Sequence, residues 1–328
     1  MSLPTAPLGT TGMSITRVGL GAWAIGGGEW SFAWGAQDDD DSIRTIRYAI
    51  ERGINWIDTA AIYGLGHSEA VVGAALDGLS EGDRPFVFTK GGLIPDPGDP
   101  MKRSSRVGSP ASIRRELEDS LRRLRVERID LYQMHWPAED GTALDEYWET
   151  FADLKRSGKV RAIGLSNHGV PQLDAAEAIA HVDTVQPQFS AIHTANLDSG
   201  VLDWCADHET GVIVYSPMGS GLLTGAMTAE RVAALPNDDW RRTSPEFTDR
   251  LDENLARGSA IAEVAQRHSI PQSAAAAAWP LGFRGVTGAI VGARTPEQID
   301  GWIDAASTQL TAEDYATIGS AIPAALAR

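Results

Sequence analysis

The chain has 328 residues, with 28 Lys and Arg against 44 Asp and Glu, and a formal net charge of −16. Such acidity repels phosphate backbones and anionic bilayers, which argues against nucleic-acid and membrane partners. A single cysteine, Cys205, excludes an intrachain disulfide and points to a reducing, cytoplasmic compartment. The polar, proline-broken start is not expected to act as a secretory leader, and no apolar run reaches the roughly 18 residues that a membrane helix needs.

Short apolar runs alternate with amphipathic stretches along the whole chain. The runs predict strands at Arg17–Trp23, Trp56–Asp58, Phe86–Lys90, Ile129–His135, Val160–Leu165, Val182–Gln186, Val212–Tyr215 and Gly288–Val291. Between them, the spacing predicts helices at Asp39–Arg52, Ser68–Leu79, Pro110–Leu124, Ala143–Ser157, Val170–Ala180, Gly200–His208, Leu251–His268 and Pro296–Ala306. Ser109–Pro110 and Thr295–Pro296 place a capping residue before a proline at the first helical position. Gly53 and Gly158 sit where helices should stop before the next strand. Continuous apolar strands with helical crossovers are parallel, and eight such units favour a closed (β/α)8 TIM barrel, read as one domain over 1–328.

Three stretches are longer than barrel loops need: Gly26–Asp40, Gly91–Ser109 and Ser216–Asp249. Each follows a strand end, on the face where barrel active sites lie.

Asp58, Lys90 and His135 each end an apolar strand, and Tyr63 opens the helix after Asp58. Ionisable groups at a barrel mouth are partly desolvated, and such perturbed groups cluster at functional sites. Together they suit proton transfer. A lysine cation favours the tyrosinate and lowers its pKa, an aspartate keeps the lysine charged, and a histidine orients a carbonyl. A Schiff-base lysine, as in barrel aldolases, is the alternative reading of Lys90, without a phosphate-clamped sugar site to support it.

GINWIDTAAIYGLGHSE, FVFTKGG, IDLYQMHWP, VRAIGLSNH, VQPQFS, VIVYSPMGSGLLTG and IVGARTPEQ, in that order, resemble the aldo-keto reductase superfamily over nearly the whole chain. The resemblance implies a barrel with a short N-terminal hairpin and long loops at the C-terminal face. It implies Tyr63 as general acid, Lys90 and Asp58 as its tuning pair, and His135 as the carbonyl-orienting group. It also implies an NADPH/NADP+ site, with NADH possible, without the Rossmann glycine spacing. Ser166, Asn167 and Gln186 match the residues that hold the nicotinamide amide, and Tyr215 the aromatic that stacks on its ring. Ser216, Gly219, Ser220 and Leu222 match the pyrophosphate loop. Gly292, Ala293, Arg294, Thr295 and Gln298 match the adenosine and 2′-phosphate segment, where a helix start and an arginine favour an anion. The chain departs from many relatives at Trp302, usually Asn, at Ala226, usually Lys or Arg, and at His168, often Phe.

For the substrate, a small carbonyl compound, the resemblance implies a wall containing Trp23 and Trp136. Trp30, Phe32 and Trp34 are candidates to extend it, an aromatic lining that favours aryl or apolar carbonyls. No cation is evident in that wall, although Arg241 and Arg242 are placed to fold over the mouth. Scattered histidines and one cysteine leave no zinc-binding pattern. The resemblance also leaves open a cofactor-sensing subunit that turns over slowly. An oligomeric partner is unknown at this level.

Overall fold

The computed structural model describes residues 3–237 and 239–320. Eight parallel strands close into a barrel in chain order: β1 (Val18–Gly21), β2 (Trp56–Asp58), β3 (Phe86–Gly91), β4 (Ile129–Met134), β5 (Val160–Ser166), β6 (Thr184–Gln186), β7 (Gly211–Val214) and β8 (Val286–Gly292). The expected (β/α)8 TIM barrel is present, and every expected strand is found with only its ends moved. Residues Arg17–Trp23 shorten to β1 because Trp23 leads into the helical turn Ala24–Gly26. A hairpin, Thr5–Pro7 paired antiparallel with Ser14–Thr16, precedes the barrel.

Side chains alternate along each strand, so every second residue points inward. Trp56, Phe88, Leu131, Ala162, Ile213 and Ile290 pack together as one buried apolar layer. Leu8, Met13 and Ile15 of the hairpin join that layer and plug its lower end. Trp56 donates its indole N–H to the Thr16 carbonyl at 2.8 Å. Gly19 leaves the space that Trp56 fills, because a Cβ there would lie 2.1 Å from the indole. The outward residues form the larger core between strands and helices.

The helices Pro110–Leu124 and Leu251–His268 have the expected bounds. Ser109 caps the first by accepting from the Ser112 N–H, with Pro110 at the opening position. The final barrel helix is shorter than expected, ending at Asp300 and resuming as the 3-10 turn Ile303–Ala306. Among the described residues four helices were not anticipated: the short Ala195–Asp198 and Ala229–Ala233, and the longer Gln272–Ala278 and Ala312–Ser320. Ala274–Ala278 are all buried, so that segment shows no polar face to give a helical period. None of the described helices is long and apolar enough to cross a membrane.

Glu116 is buried beneath the end of β3, where it accepts from the Gly92 N–H at 2.8 Å and the Ser112 hydroxyl at 3.0 Å. Burial raises its pKa to about 7, against the opposing effect of those bonds and of Arg115 and Arg123. A folded pKa above the unfolded one gives stability that is full below the ordinary carboxylate value and is lost as pH rises through about 7. Glu116→Gln removes this dependence. The variant's thermal midpoint should therefore gain a few degrees on the wild type between about pH 5 and pH 8. A difference that stays constant over that range would show that the carboxyl is not protonated in the folded protein.

Candidate active site

One residue pair above the apolar layer, the barrel interior turns polar. Asp58 follows Trp56, Lys90 follows Phe88, and Gln133 follows Leu131, each two residues on and therefore on the same inward face. Lys90 and Gln133 are register partners across β3 and β4. Lys90 donates to Asp58 Oδ1 at 2.5 Å and to the Thr59 carbonyl at 2.9 Å. Gln186 donates to Asp58 Oδ2 at 2.9 Å. Gln133 was missed by the sequence reading; it lies fully buried beside Gln186, at 3.4 Å. The inward alternation Leu131, Gln133, His135 was the signal that could have found it.

The Tyr63 hydroxyl lies 3.4 Å from Lys90 Nζ. It is held there by a tight turn, in which a Cβ on Gly64 (φ 57°) would fall 2.0 Å from the Gly26 carbonyl oxygen. His135 meets the Tyr63 ring edge-on, with ring centres 5.8 Å apart. The four expected residues are therefore brought together.

Their electrostatics correct one expectation. Burial, reinforced by the Asp58 charge, pushes the Tyr63 phenol well above its ordinary value rather than below it. The physical reason is first that burial disfavours the phenolate, and second that the carboxylate locked to Lys90 lies close enough to oppose a negative charge on the phenol. Burial also lowers the Lys90 pKa, opposed by Asp58, and raises that of Asp58, opposed by Lys90. His135 is held well below the ordinary imidazole value by burial and by the charges of Lys90 and Arg106. The arrangement thus combines a neutral phenol, an ion pair and a neutral imidazole.

A cavity of about 870 Å³ opens above these groups, lined by Asp58, Tyr63 and His135 at its floor. Lys90 and Ser166 are buried beneath it. Ser166 donates to the Gln186 carbonyl at 2.8 Å, and Asn167 donates to the His135 carbonyl at 3.0 Å. Tyr215 donates to Asn167 Oδ1 at 2.8 Å. Asn167, Gln186, Tyr215, Ser216 and Ser220 all line the same wall, so strands β5 to β7 deliver one connected polar surface. Gly219 and Leu222 do not line the cavity. Leu222 is buried in the outer core, and its N–H bonds the Gly219 carbonyl.

Gly292, Ala293, Arg294, Gln298 and Trp302 line the far end. Arg294 is not the open cation that the sequence suggested. Its guanidinium donates to Gln37 Oε1 at 2.6 Å, to the Trp34 carbonyl at 3.1 Å and to the Ala36 carbonyl, which ties the first long loop across the cleft. All these acceptors are uncharged, so no carboxylate is bonded to it among the described residues. The helix behind it spans only Pro296–Asp300, one turn, with little of the dipole expected there. Arg231 supplies a cation that the sequence reading missed: its guanidinium bonds the Ala226 carbonyl at 3.1 Å and faces the cavity where Ala226 itself has no charge. Trp302 is buried, and its indole N–H has no partner among the described residues.

The three long loops all reach the cavity. Trp23 stacks on Trp240 with ring centres 5.5 Å apart, and Trp34 meets Trp23 edge-on at 5.4 Å. Arg241 lies over Trp34 at 4.3 Å and pairs with Asp239 at 2.6 Å. The first and third loops therefore clasp each other. Arg242 turns away to bond the Leu235 carbonyl and does not line the cavity. Trp30, Phe32 and Trp136 line the side nearest Tyr63 and His135, with Arg106 over Trp136 at 4.3 Å. His168 bonds the Tyr147 hydroxyl at 2.9 Å, a packing role away from the cavity.

Comparison with known proteins assigns the chain to a family. The model of the Aldo/keto reductase family matches residues 17–323. The aldo-keto reductase YhdN of Bacillus subtilis is 35% identical over 312 residues, covering 94% of this chain and 91% of that protein. An NADH-specific methylglyoxal reductase of Escherichia coli is 35% identical over 310 residues, covering 89% of this chain and 90% of that protein. The structure of a glycerol dehydrogenase from Gluconobacter oxydans superposes with a TM-score of 0.87 at 36% identity, covering 100% of this chain and 98% of the other. By its barrel, the matching family model and these relatives, the chain belongs to the aldo/keto reductase family of oxidoreductases.

Proposed function

We propose that the protein reduces aldehydes or ketones, aryl or small carbonyl compounds, to alcohols with NADPH, in the cytoplasm. The observation that carries this is the Tyr63 hydroxyl at the floor of the cavity, 3.4 Å from an ammonium that is itself clamped by a buried carboxylate.

The residues present suit a dinucleotide. The cavity reaches from the Tyr63 floor to the arginines near Gly292, and one wall is a continuous hydrogen-bonded surface. Ser166, Asn167 and Gln186 would hold the carboxamide end, Tyr215 the nicotinamide face, and Ser216 and Ser220 the pyrophosphate. Gly292, Arg294 and Gln298 would hold the adenosine end. When bound, the cofactor supplies a hydride to the carbonyl carbon. Tyr63 gives its proton to the carbonyl oxygen, so hydride and proton together complete the alcohol. Its raised pKa keeps the phenol protonated before the reaction. Lys90 stabilises the phenolate left behind, and Asp58 keeps Lys90 charged against burial. His135, neutral, orients the carbonyl oxygen by hydrogen bonding. The aromatic side chains of Trp23, Trp30 and Trp136 exclude water around the carbonyl.

Preference for NADPH over NADH rests on two guanidiniums, Arg294 and Arg231, neither of which has a carboxylate partner among the described residues. A reducing compartment suits Cys205, a buried thiol whose pKa is pushed up to about 12.

Tyr63→Phe should lower kcat about 1000-fold while tryptophan fluorescence reports an NADPH Kd within about threefold of wild type. Wild-type turnover in that variant would remove Tyr63 from the chemistry. Arg294→Ala should raise the NADPH Kd about tenfold and the NADH Kd far less. Equal weakening of both would mean that Arg294 acts only through the loop it fastens.

A further inference from the structure

The cavity carries an electrostatic pattern that the cofactor does not account for. Its lining includes five arginines, Arg103, Arg106, Arg231, Arg241 and Arg294, against one carboxylate, Asp58, which is paired with Lys90. Arg106 and Arg241 are paired with Glu139 and Asp239, which leaves Arg103, Arg231 and Arg294 without a carboxylate partner among the described residues, in a chain whose net charge is −16. The arginines divide between opposite sides of the barrel. Arg231 and Arg241 lie in the loop after β7, and Arg294 follows β8, on the wall where the cofactor residues of β5 to β8 lie. Arg103 and Arg106 lie in the loop after β3, and in an eight-stranded barrel β3 stands opposite β7. That loop is shaped by a small antiparallel ladder, Leu93–Ile94 with Ser105–Arg106. It is fastened to the first long loop where the Ser31 N–H bonds the Pro100 carbonyl at 3.1 Å.

The two β3-loop arginines differ in their bonding. Arg106 pairs with Glu139 at 2.5 Å and lies over Trp136 at 4.3 Å, which makes it a fixed part of the wall. Its charge is close enough to His135 to depress the imidazole pKa. Arg103 has no ion pair among the described residues, and its exposed side chain lines the same mouth as Ser104. A cation focused by low-dielectric aromatic walls attracts anions more strongly than one on open surface.

We propose that Arg103, on the same loop and cavity wall as Arg106, recognises a carboxylate or phosphate carried by the carbonyl substrate, so that the preferred substrates are anionic aldehydes or ketones. The proposal rests on the reductase reading above and names the substrate class of that same site. The aromatic side chains take the body of the substrate, the Tyr63–His135 floor takes the carbonyl, and Arg103 takes the distal anion. Arginine suits this role because its planar fork can bond two oxygens at once.

The test compares 4-carboxybenzaldehyde with its methyl ester, which matches it in shape and lacks the charge, in NADPH oxidation at about pH 7. Wild type should favour the acid about tenfold in kcat/KM, mostly through KM, and the preference should shrink as salt is raised. Arg103→Met should bring the ratio near one, and Arg103→Lys should keep part of it. A wild-type preference for the ester, or a ratio that Arg103→Met leaves unchanged, overturns the proposal. If neither aldehyde is turned over, the reductase reading fails instead. The anion site is then judged by fluorescence titration with 4-(hydroxymethyl)benzoate and its methyl ester. Tighter binding of the carboxylate that disappears in Arg103→Met upholds the site, and equal binding overturns it.

Discussion

The active-site end of this barrel is organised by the buried ion pair between Asp58 and Lys90. Two charges removed from water are tolerated only when each is bonded on several sides, and removing one partner of such a pair typically costs about 3–5 kcal/mol. Here Thr59, Gln186 and Gln133 surround the pair, so four strands and the turn after β2 converge on it. The pair is nearly neutral as a unit, which is why it does not acidify the phenol above it. What it provides is an ammonium fixed 3.4 Å from the phenol oxygen. Burial beside this compensated pair favours the protonated form of Tyr63.

Above that pair, the molecule separates its charges. Its surface is acidic overall, yet the cavity is lined with arginines. Several of these also hold structure. Arg294 fastens the first loop by its carbonyls, Arg241 joins the Trp34 ring to Asp239, and Arg106 covers Trp136. Guanidinium serves both purposes because its five donors can be shared between protein acceptors and a ligand without loss of charge. The long loops are therefore fixed by the same groups that make the cleft positive. A ligand phosphate near Arg294 must compete with, or add to, its bonds to the Trp34–Gln37 stretch.

Much of this was visible in one dimension. The eight strands follow from apolar runs between helical stretches, because parallel strands buried on both faces have little choice of residue. Asp58, Lys90 and His135 stood out because a charge at the end of such a run has few structural reasons to be there. Tyr63 and the cofactor wall came from ordered motifs. The inward position of Gln133 was also encoded, two residues before His135, but a buried amide within an apolar run draws less attention than a charge.

Local pattern alone therefore determined the barrel and pointed to the strand ends where Asp58, Lys90 and His135 gather, since strand alternation and strand ends are read from neighbouring residues. Tertiary structure decided what those residues experience. Burial beside a compensated ammonium reversed the expected direction of the Tyr63 pKa. Loop folding tied Arg294 to carbonyls far away in sequence, brought Arg231 to the place left bare by Ala226, and set Arg103 at the mouth. Electrostatic environment and loop position are sums over groups distant along the chain, and no window of sequence contains them.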